Sequence, residues 1–175
     1  MRSTFSLCLC LATAFLFLSA CSPAAEPEKT TTADAPAPAA DANVHTGTWT
    51  LNVSKSSYSP GPAPKSQTLK IEAWGDDGLT YVADGVGGDD KPTHLEFQAK
   101  FDGMDYETKG SPDSDHLSYK KIDANTLEAT LKRKGAEVIK ATIVVSADGK
   151  TRTVTQTGKD AQGRDLKIES VYEKS

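Results

Sequence analysis

The stretch HLEFQAKF, residues 94–101, alternates polar and apolar side chains along its whole length. Leu95, Phe97, Ala99 and Phe101 take every second place, and the residues between them are charged or carry an amide. Successive side chains of a β-strand point to opposite faces, so a period of two predicts a strand with one buried face and one face in water.

Eight further segments show the same alternation. They lie at residues 48–53, 69–73, 79–85, 116–122, 126–133, 137–146, 151–157 and 166–172. No segment shows a convincing period of 3.6 residues, which would indicate a helix. The sequence therefore predicts an all-β domain.

Short loops rich in Asp, Asn and Gly join these segments, and such residues tolerate the positive φ of hairpin turns. The loops lie at residues 75–78, 87–90, 102–103, 123–125, 147–150 and 160–163. Their regular spacing predicts an antiparallel up-and-down meander of about 8–10 strands. A sandwich and a barrel both remain open, and closure into a barrel is favoured because it removes exposed strand edges. The proline-rich residues 54–66 form the one irregular connection, which could cover or border a barrel mouth.

The first twenty residues have the composition of a bacterial signal peptide. Arg2 precedes an apolar run at residues 5–18, which as a helix would reach about 21 Å, too short for a bilayer core of about 30 Å. The run closes on Leu18-Ser19-Ala20-Cys21, which resembles the lipobox of bacterial lipoproteins. That resemblance implies cleavage before Cys21 and acylation of its thiol. The alternative is an ordinary secretory leader cleaved after Ala20.

Cys21 would be the sole cysteine left after processing, because Cys8 and Cys10 lie in the leader. A disulfide framework or a cysteine-based metal site is thereby excluded. The lipoprotein resemblance implies a diacylglyceryl thioether and an N-acyl chain such as palmitate, and two or more chains anchor a protein stably. Ser22, where aspartate would signal retention in the inner membrane, favours the outer membrane, facing the periplasm. Membrane attachment through Cys21 in the cell envelope is therefore expected.

Three parts are expected along the chain: the signal peptide at 1–20, a tether at 21–44 and one folded domain at 45–175. The tether is built largely from Ala, Pro, Thr and acidic residues and has no aromatic side chain. Such a composition cannot bury enough apolar area to offset chain entropy, so the tether is expected to be disordered. About 130 residues suffice for a domain with its own core.

The segment Gly47-Thr48-Trp49 resembles the Gly-x-Trp opening of the first strand in lipocalins and fatty-acid-binding proteins. The resemblance implies a calycin-type barrel that binds a small apolar ligand, with Trp49 packed across the closed end. It also implies a late arginine stacked on that ring, for which Arg152 and Arg164 are both candidates. Met104-Asp105-Tyr106 partly resembles the lipocalin Thr-Asp-Tyr signature, with methionine in place of the threonine.

The sequence departs from both families in its helices. Lipocalins have a helix after the last strand, whereas this sequence has no helix-length segment there. Fatty-acid-binding proteins have a helix pair after the first strand, and here Pro60, Pro62 and Pro64 exclude it.

Few residues suggest chemistry. His45, His94 and His116 lack partners at metal-ligand spacing, and the aspartate pairs at 76–77 and 89–90 are explained by turns. The basic run 132–134 predicts a solvated hairpin tip, since the chain has a net charge of −4 and nucleic-acid binding is not expected. No nucleophile elbow or phosphate-binding loop occurs. The sequence indicates no enzyme, no metal and no cofactor, and it does not indicate an oligomeric state.

Aromatic residues in inward places are the candidates to line a cavity. Besides Trp49 they are Tyr81, Phe97, Phe101, Tyr106, Tyr119 and Tyr172. Two functions from different classes remain open: an anchored module that holds a small apolar ligand, and a structural or interaction lipoprotein whose barrel is solid. An enzyme on the same scaffold ranks last, for want of a paired acid and base.

Overall fold

A computed structural model describes residues 43–175. The expected signal peptide at 1–20, the lipobox Leu18-Ser19-Ala20-Cys21 and the tether up to residue 42 lie outside the described residues. No helix among the residues described is long and apolar enough to cross a membrane.

Residues 43–175 form eleven strands and one short 3₁₀ turn, Val53–Lys55. The strands are β1 (Gly47–Leu51), β2 (Ser57–Ser59), β3 (Ser66–Ala73), β4 (Gly78–Val86), β5 (Pro92–Lys100), β6 (Tyr106–Lys109), β7 (His116–Lys121), β8 (Thr126–Arg133), β9 (Ala136–Val145), β10 (Thr151–Lys159) and β11 (Asp165–Lys174).

Ten of the strands close into an antiparallel barrel. From β3 to β11 each strand pairs with the next along the chain, and β1 pairs with both β3 and β11. The short β2 pairs with residues 167–169 of β11, on the same side as β1, so that it prolongs β1 after the 3₁₀ turn. The predicted meander of 8–10 strands and its closure into a barrel are confirmed.

The apolar side chains that take every second place in the strands point inward and fill the interior of the barrel. Buried apolar side chains come from every strand of the ring except β6 and β10, and most of them form one continuous cluster that includes Trp49, Leu69, Leu79, Leu127 and Ile143. Burial of this kind is the main favourable contribution to folding.

One end of the barrel, here called the floor, is closed by the segment Asn43–Thr46. Thr46 N donates to Asn43 O at 2.9 Å, and the indole Nε1 of Trp49 donates to His45 O at 3.1 Å. The last residues of the chain lie at the same end, because Ser175 N donates to Thr48 O at 3.0 Å. The floor is therefore tied to both the beginning and the end of the folded chain.

The other end, here called the mouth, is bordered by the proline-rich connection and four turns. Pro62 packs closely on Gly88, where a Cβ would lie 2.4 Å from the proline Cγ. Asp113 joins two other turns, since its carbonyl accepts from Arg133 Nε at 2.8 Å and its carboxylate accepts from Ala161 N at 2.7 Å. Residues 54–66 thus border the mouth, as the sequence suggested.

Two strands were not predicted. β6 has only four residues, of which Tyr106 and Thr108 face inward and both carry a polar group. It makes two residue pairs with β5, whereas β4 and β5 make nine. The other, β2, has three residues. Strands this short carry too little alternation to be detected.

Candidate ligand-binding site

The barrel interior contains a cavity of about 80 Å³. Its lining is mostly apolar and comes from β4 to β10 and from the turn between β6 and β7. The lining residues are Tyr81, Leu95, Phe97, Thr108, Ser111, Ser114, Leu117, Tyr119, Ala129, Leu131, Ala141, Ile143, Arg152, Val154 and Gln156. The interior is therefore largely filled but not solid.

Arg152 is the one cation in this lining, and its side chain is only 1% exposed. Its Nη1 lies 3.1 Å from His45 Nδ1, and its Nε has no hydrogen-bond partner. Within residues 43–175 no carboxylate forms an ion pair with it. A buried charge without a counter-ion is costly. The cavity therefore contains an unneutralised donor suited to an anion.

His45 supports this arginine as an uncharged acceptor. A guanidinium can only donate, so Nδ1 of His45 accepts and the ring proton sits on Nε2. Burial, together with the charge of Arg152, lowers the pKa of His45 from 6.5 to about 4. The imidazole is therefore neutral at physiological pH, so it accepts a hydrogen bond from the guanidinium without neutralising its charge.

Trp49 lies fully buried beside this pair, at the floor. The resemblance to lipocalins implied a late arginine stacked on its ring, but the cation over the ring is Lys174, whose Nζ lies 4.9 Å from the ring centroid. Arg164 bonds Asp160 in the β10–β11 turn. Arg152 instead reaches Trp49 indirectly, through His45, which bonds the guanidinium with its ring and the indole with its carbonyl.

Three aromatic rings, those of Tyr81, Phe97 and Tyr119, form part of the cavity wall. Tyr81 stacks on Phe97 with 4.6 Å between centroids, and Phe97 lies 5.9 Å from Tyr119. Burial raises the pKa of the Tyr81 hydroxyl well above its usual value and raises that of Tyr119 as well. Both phenols therefore stay protonated and are able to donate to a ligand.

A groove of about 490 Å³ lies along β4, β5 and β6, where the β5–β6 ladder is short. Trp74 and Tyr106 meet in it edge to face, with 6.2 Å between centroids. Its remaining lining consists of Thr80, Tyr81, Val82, Glu96, Phe97, Gln98, Glu107 and Lys109. Tyr81 and Phe97 also line the interior cavity, so the two spaces share a wall.

The six aromatic candidates from the sequence take three different positions. Tyr81, Phe97 and Tyr119 line the cavity, and Tyr106 lines the groove while its hydroxyl donates to Asp102 at 2.8 Å. Phe101 and Tyr172 line neither space. Phe101 packs against Tyr119, and the hydroxyl of the buried Tyr172 donates to Gln67 at 2.6 Å.

Gly47 and Trp49, the residues of the Gly-x-Trp motif, lie on β1 at the floor. Gly47 has a φ of 121°, a conformation that favours glycine, and its Cα lies opposite Ile71 of β3. Trp49 pairs with Leu69 on one side and Lys174 on the other. The motif thus marks the position at which the first strand joins both of its neighbours.

The polar residues set aside in the sequence lie on the surface or in turns. His94 is exposed and lies 2.7 Å from Asp84, and Asp89 accepts from Lys91 N within its own turn. Lys132 pairs with Asp105 at the β8–β9 hairpin. Among residues 43–175 no group of three potential ligands is placed to hold a metal ion.

The pairing of His45 with Arg152 was missed by the sequence analysis. The two residues are 107 positions apart, and His45 lies before the first strand. One signal was present: Arg152 occupies an inward place in the alternation of β10 with Val154 and Gln156, all three of which line the cavity. A charged residue in an inward place of a barrel strand needs either a partner or a ligand.

No protein-family model matches the chain, and no curated protein matches it. Solved structures do. The wild-type fluorescent protein UnaG matches with a TM-score of 0.51 and 18% identity, over 75% of this chain and 97% of that one. A single-residue mutant of UnaG gives the same TM-score over 96% of its chain. The zebrafish ileal bile acid-binding protein complexed with cholic acid gives 0.48 and 16% identity, over 75% and 99%.

At 18% identity the likeness to UnaG shows the fold alone. The chain has a closed antiparallel barrel of ten strands, a fold that it shares with UnaG, rather than the eight strands of a lipocalin. The resemblance that Gly47 and Trp49 suggested is confirmed at the level of the fold.

Proposed function

We propose that the barrel is a non-catalytic binding module for a small amphiphile with an apolar body and one anionic group. Arg152 carries the proposal, because it combines burial, an unpartnered Nε and a place in the cavity lining. An anionic group of the ligand would supply the counter-ion that residues 43–175 do not provide.

The rest of the lining supports an apolar ligand body. Ligand sites in proteins are mostly apolar, with a small number of polar groups that fix orientation. Leu95, Leu117, Leu131, Ile143 and Val154 give the cavity that character, and its few polar side chains lie among them.

The small volume of the cavity favours a second candidate function. Ligand sites usually measure about 300–1,000 Å³, well above the 80 Å³ found here. A structural or interaction protein with a nearly solid barrel would need no larger space. The unneutralised Arg152 favours the binding module, because a solid core gains nothing from a buried charge.

Arg152→Met tests the binding module. Dodecanoate is the probe, dodecanol is its neutral counterpart, and titration calorimetry of the full-length protein measures both. A hydrogen bond to a charged group contributes about 1.5–3 kcal/mol, so dodecanoate should bind about 10- to 150-fold more weakly to the variant. Dodecanol should bind equally to both proteins.

Lys167→Met is the matched control, because it removes an exposed cation from the neighbouring strand β11. It should leave dodecanoate binding unchanged. Equal affinity of dodecanoate for the wild type and Arg152→Met would contradict the role of Arg152. A wild-type protein that binds neither probe would favour the solid-barrel alternative.

We further propose that the domain is held in the bacterial cell envelope by acyl chains on Cys21, at the outer membrane and facing the periplasm. The support is the order Leu18-Ser19-Ala20-Cys21 at the end of an apolar leader. The lipid would fix the location of the barrel and play no part in the interior site.

Cys21→Ser tests the anchor. The substitution removes the thiol that would be acylated, so labelled palmitate should no longer be incorporated and the protein should leave the membrane fraction. Cys10→Ser, within the apolar leader, should change neither result. Continued sedimentation of Cys21→Ser with membranes would show that the lipobox assignment is wrong.

A further inference from the structure

We infer that the ligand of the interior site carries a second polar group, a neutral hydroxyl, at the end of its body that lies farthest from the anionic group. The turn between β6 and β7 would bind this hydroxyl at the mouth end of the cavity. The inference rests on the proposed function, because it concerns the other end of the same ligand. It assigns Ser114, Thr108 and Gln156 as the residues that select a hydroxylated ligand.

The cavity is polar at two separate places. Arg152 lies near the floor, at the second residue of β10, and Gln156 lies four residues further toward the mouth. Both side chains line the cavity, with Val154 between them on the same inward face. At about 3.3 Å per residue, their Cα atoms are about 13 Å apart along the strand. A ligand that fills the cavity therefore has one end beside Arg152 and the other end near the mouth.

Ser111 stabilises the turn that closes the mouth end. Its Oγ accepts from Asp113 N at 3.3 Å and from Ser114 N at 3.2 Å, and it lies 2.9 Å from Ser114 Oγ. A hydroxyl oxygen has two lone pairs and one proton. Because the two amides occupy both lone pairs of Ser111 Oγ, Ser111 donates its own proton to Ser114 Oγ.

This arrangement leaves Ser114 with a free donor. Within residues 43–175 the Ser114 hydroxyl contacts only Ser111, to which it is the acceptor, so its own proton has no acceptor there. Ser114 is 6% exposed and lines the cavity. A buried donor without an acceptor is costly. A ligand oxygen in the cavity would supply the missing acceptor.

Two neighbouring side chains make the subsite suitable for a hydroxyl. Thr108 Oγ1 donates to Ser114 O at 3.2 Å, which uses its proton and leaves lone pairs that are able to accept. The amide of Gln156 offers both a donor and an acceptor. Thr108 and Gln156 line the same cavity as Ser114. A ligand hydroxyl would accept from Ser114 and donate to Thr108 or Gln156, whereas a methyl group would do neither.

The charges of this turn favour a neutral group over a second anion. Ser114 lies directly between Asp113 and Asp115 in the sequence, so a second carboxylate of the ligand would be placed among like charges. Arg133 donates from Nε to Asp113 O at 2.8 Å, and its Nη2 is buried without a partner. Arg133 does not, however, line the cavity. A hydroxyl avoids the repulsion and still fills the hydrogen-bonding positions.

Matched pairs of ligands test the subsite on the wild-type, full-length protein. An extended chain advances about 1.2 Å per bond, so a span of about 13 Å corresponds to about ten bonds, the length of 10-hydroxydecanoate. Titration calorimetry compares this compound with decanoate. The hydroxyl should tighten binding about 2- to 10-fold, because decanoate leaves the Ser114 proton unpaired. The same comparison with 8-hydroxyoctanoate and 12-hydroxydodecanoate, each against its unsubstituted acid, shows at which length the ratio is largest.

Two variants assign the effect to the subsite. Gln156→Leu and Ser114→Ala each remove a polar group at the mouth end, so the ratio of the two affinities should fall toward one. Ser114→Ala also deprives Ser111 of its acceptor, whereas Gln156→Leu leaves the turn intact and tests the subsite even where Ser114→Ala unfolds. Thr155→Val is the matched control, because Thr155 adjoins Gln156 on the opposite face of β10. It should leave the ratio unchanged.

The outcomes separate the two proposals. A ratio of one or less at every chain length, with the unsubstituted acids bound, would overturn the second subsite and leave the interior site standing. A ratio above one that persists in both variants would also overturn it. Tighter binding of decanedioate than of 10-hydroxydecanoate would overturn the neutral character of the second group. Absence of binding by every acid would overturn the interior site and the second subsite with it.

Discussion

Trp49→Ala should lower the free energy of unfolding by about 3–5 kcal/mol, the usual cost of deleting a buried tryptophan. The ring is fully buried and touches three parts of the fold. Its strand pairs with Leu69 and Lys174, and its indole Nε1 bonds the carbonyl of His45. The deletion removes the packed ring, leaves a cavity at the floor and frees His45 O. Urea unfolding of wild type and variant measures the difference.

Two further variants separate the contribution of the indole hydrogen bond to stability from that of the buried ring volume and provide a surface control. Trp49→Phe keeps most of the apolar volume but loses the indole donor, so it should cost about 1–3 kcal/mol. Thr50→Ala, on the exposed face of the same strand, should change stability by less than about 0.5 kcal/mol. A loss below about 1 kcal/mol for Trp49→Ala would contradict the packing of Trp49 at the floor.

The stability of the barrel should fall by up to about 3 kcal/mol between pH 6.5 and pH 4 because of His45 alone. The pKa of His45 is lowered from 6.5 to about 4 in the fold, by burial first and by Arg152 second. In this window the unfolded chain binds a proton that the folded protein excludes. The stabilisation is therefore complete above pH 6.5 and is lost as the pH falls to 4.

His45→Gln isolates this contribution, since a glutamine carbonyl is able to accept from Arg152 but does not titrate. The difference in unfolding free energy between the two proteins, measured by urea denaturation from pH 7 to pH 4, should follow the His45 window. His94 changes the stability in the opposite direction, because its hydrogen bond to Asp84 raises its pKa. Both proteins contain His94, so its contribution cancels in the difference. Parallel pH profiles would contradict the burial of a neutral His45.

The fold was predictable because its strands alternate cleanly. β5 and β9 are nine and ten residues long and alternate over most of their length, and one alternating face is enough to fix which side chains enter the core. β6 was not predicted because its inward residues, Tyr106 and Thr108, are both amphipathic and because the strand is only four residues long. The weakest strand of the barrel is thus also the one that borders the groove.

The site was less predictable than the fold. Arg152 appeared in the sequence only as one of two candidates to stack on Trp49, and its actual contact is with His45. The pairing depends on closure of the ring, which brings a segment before β1 under the start of β10. Local sequence carries no information on such a contact, because neither residue type nor spacing marks it.

The closure of the ring also sets an order of events for folding. β1 meets β11 through Tyr172–Lys174, and Thr50 bonds Ser175 across 125 residues of chain. Contacts so distant in sequence form slowly, because a long loop must close before they contribute. During synthesis from the N-terminus, β1 is able to pair with β3 early. It lacks its other neighbour until β11 has been made. A chain cut before Asp165 would retain the exposed edges of β1 and β10, which invite pairing with other chains.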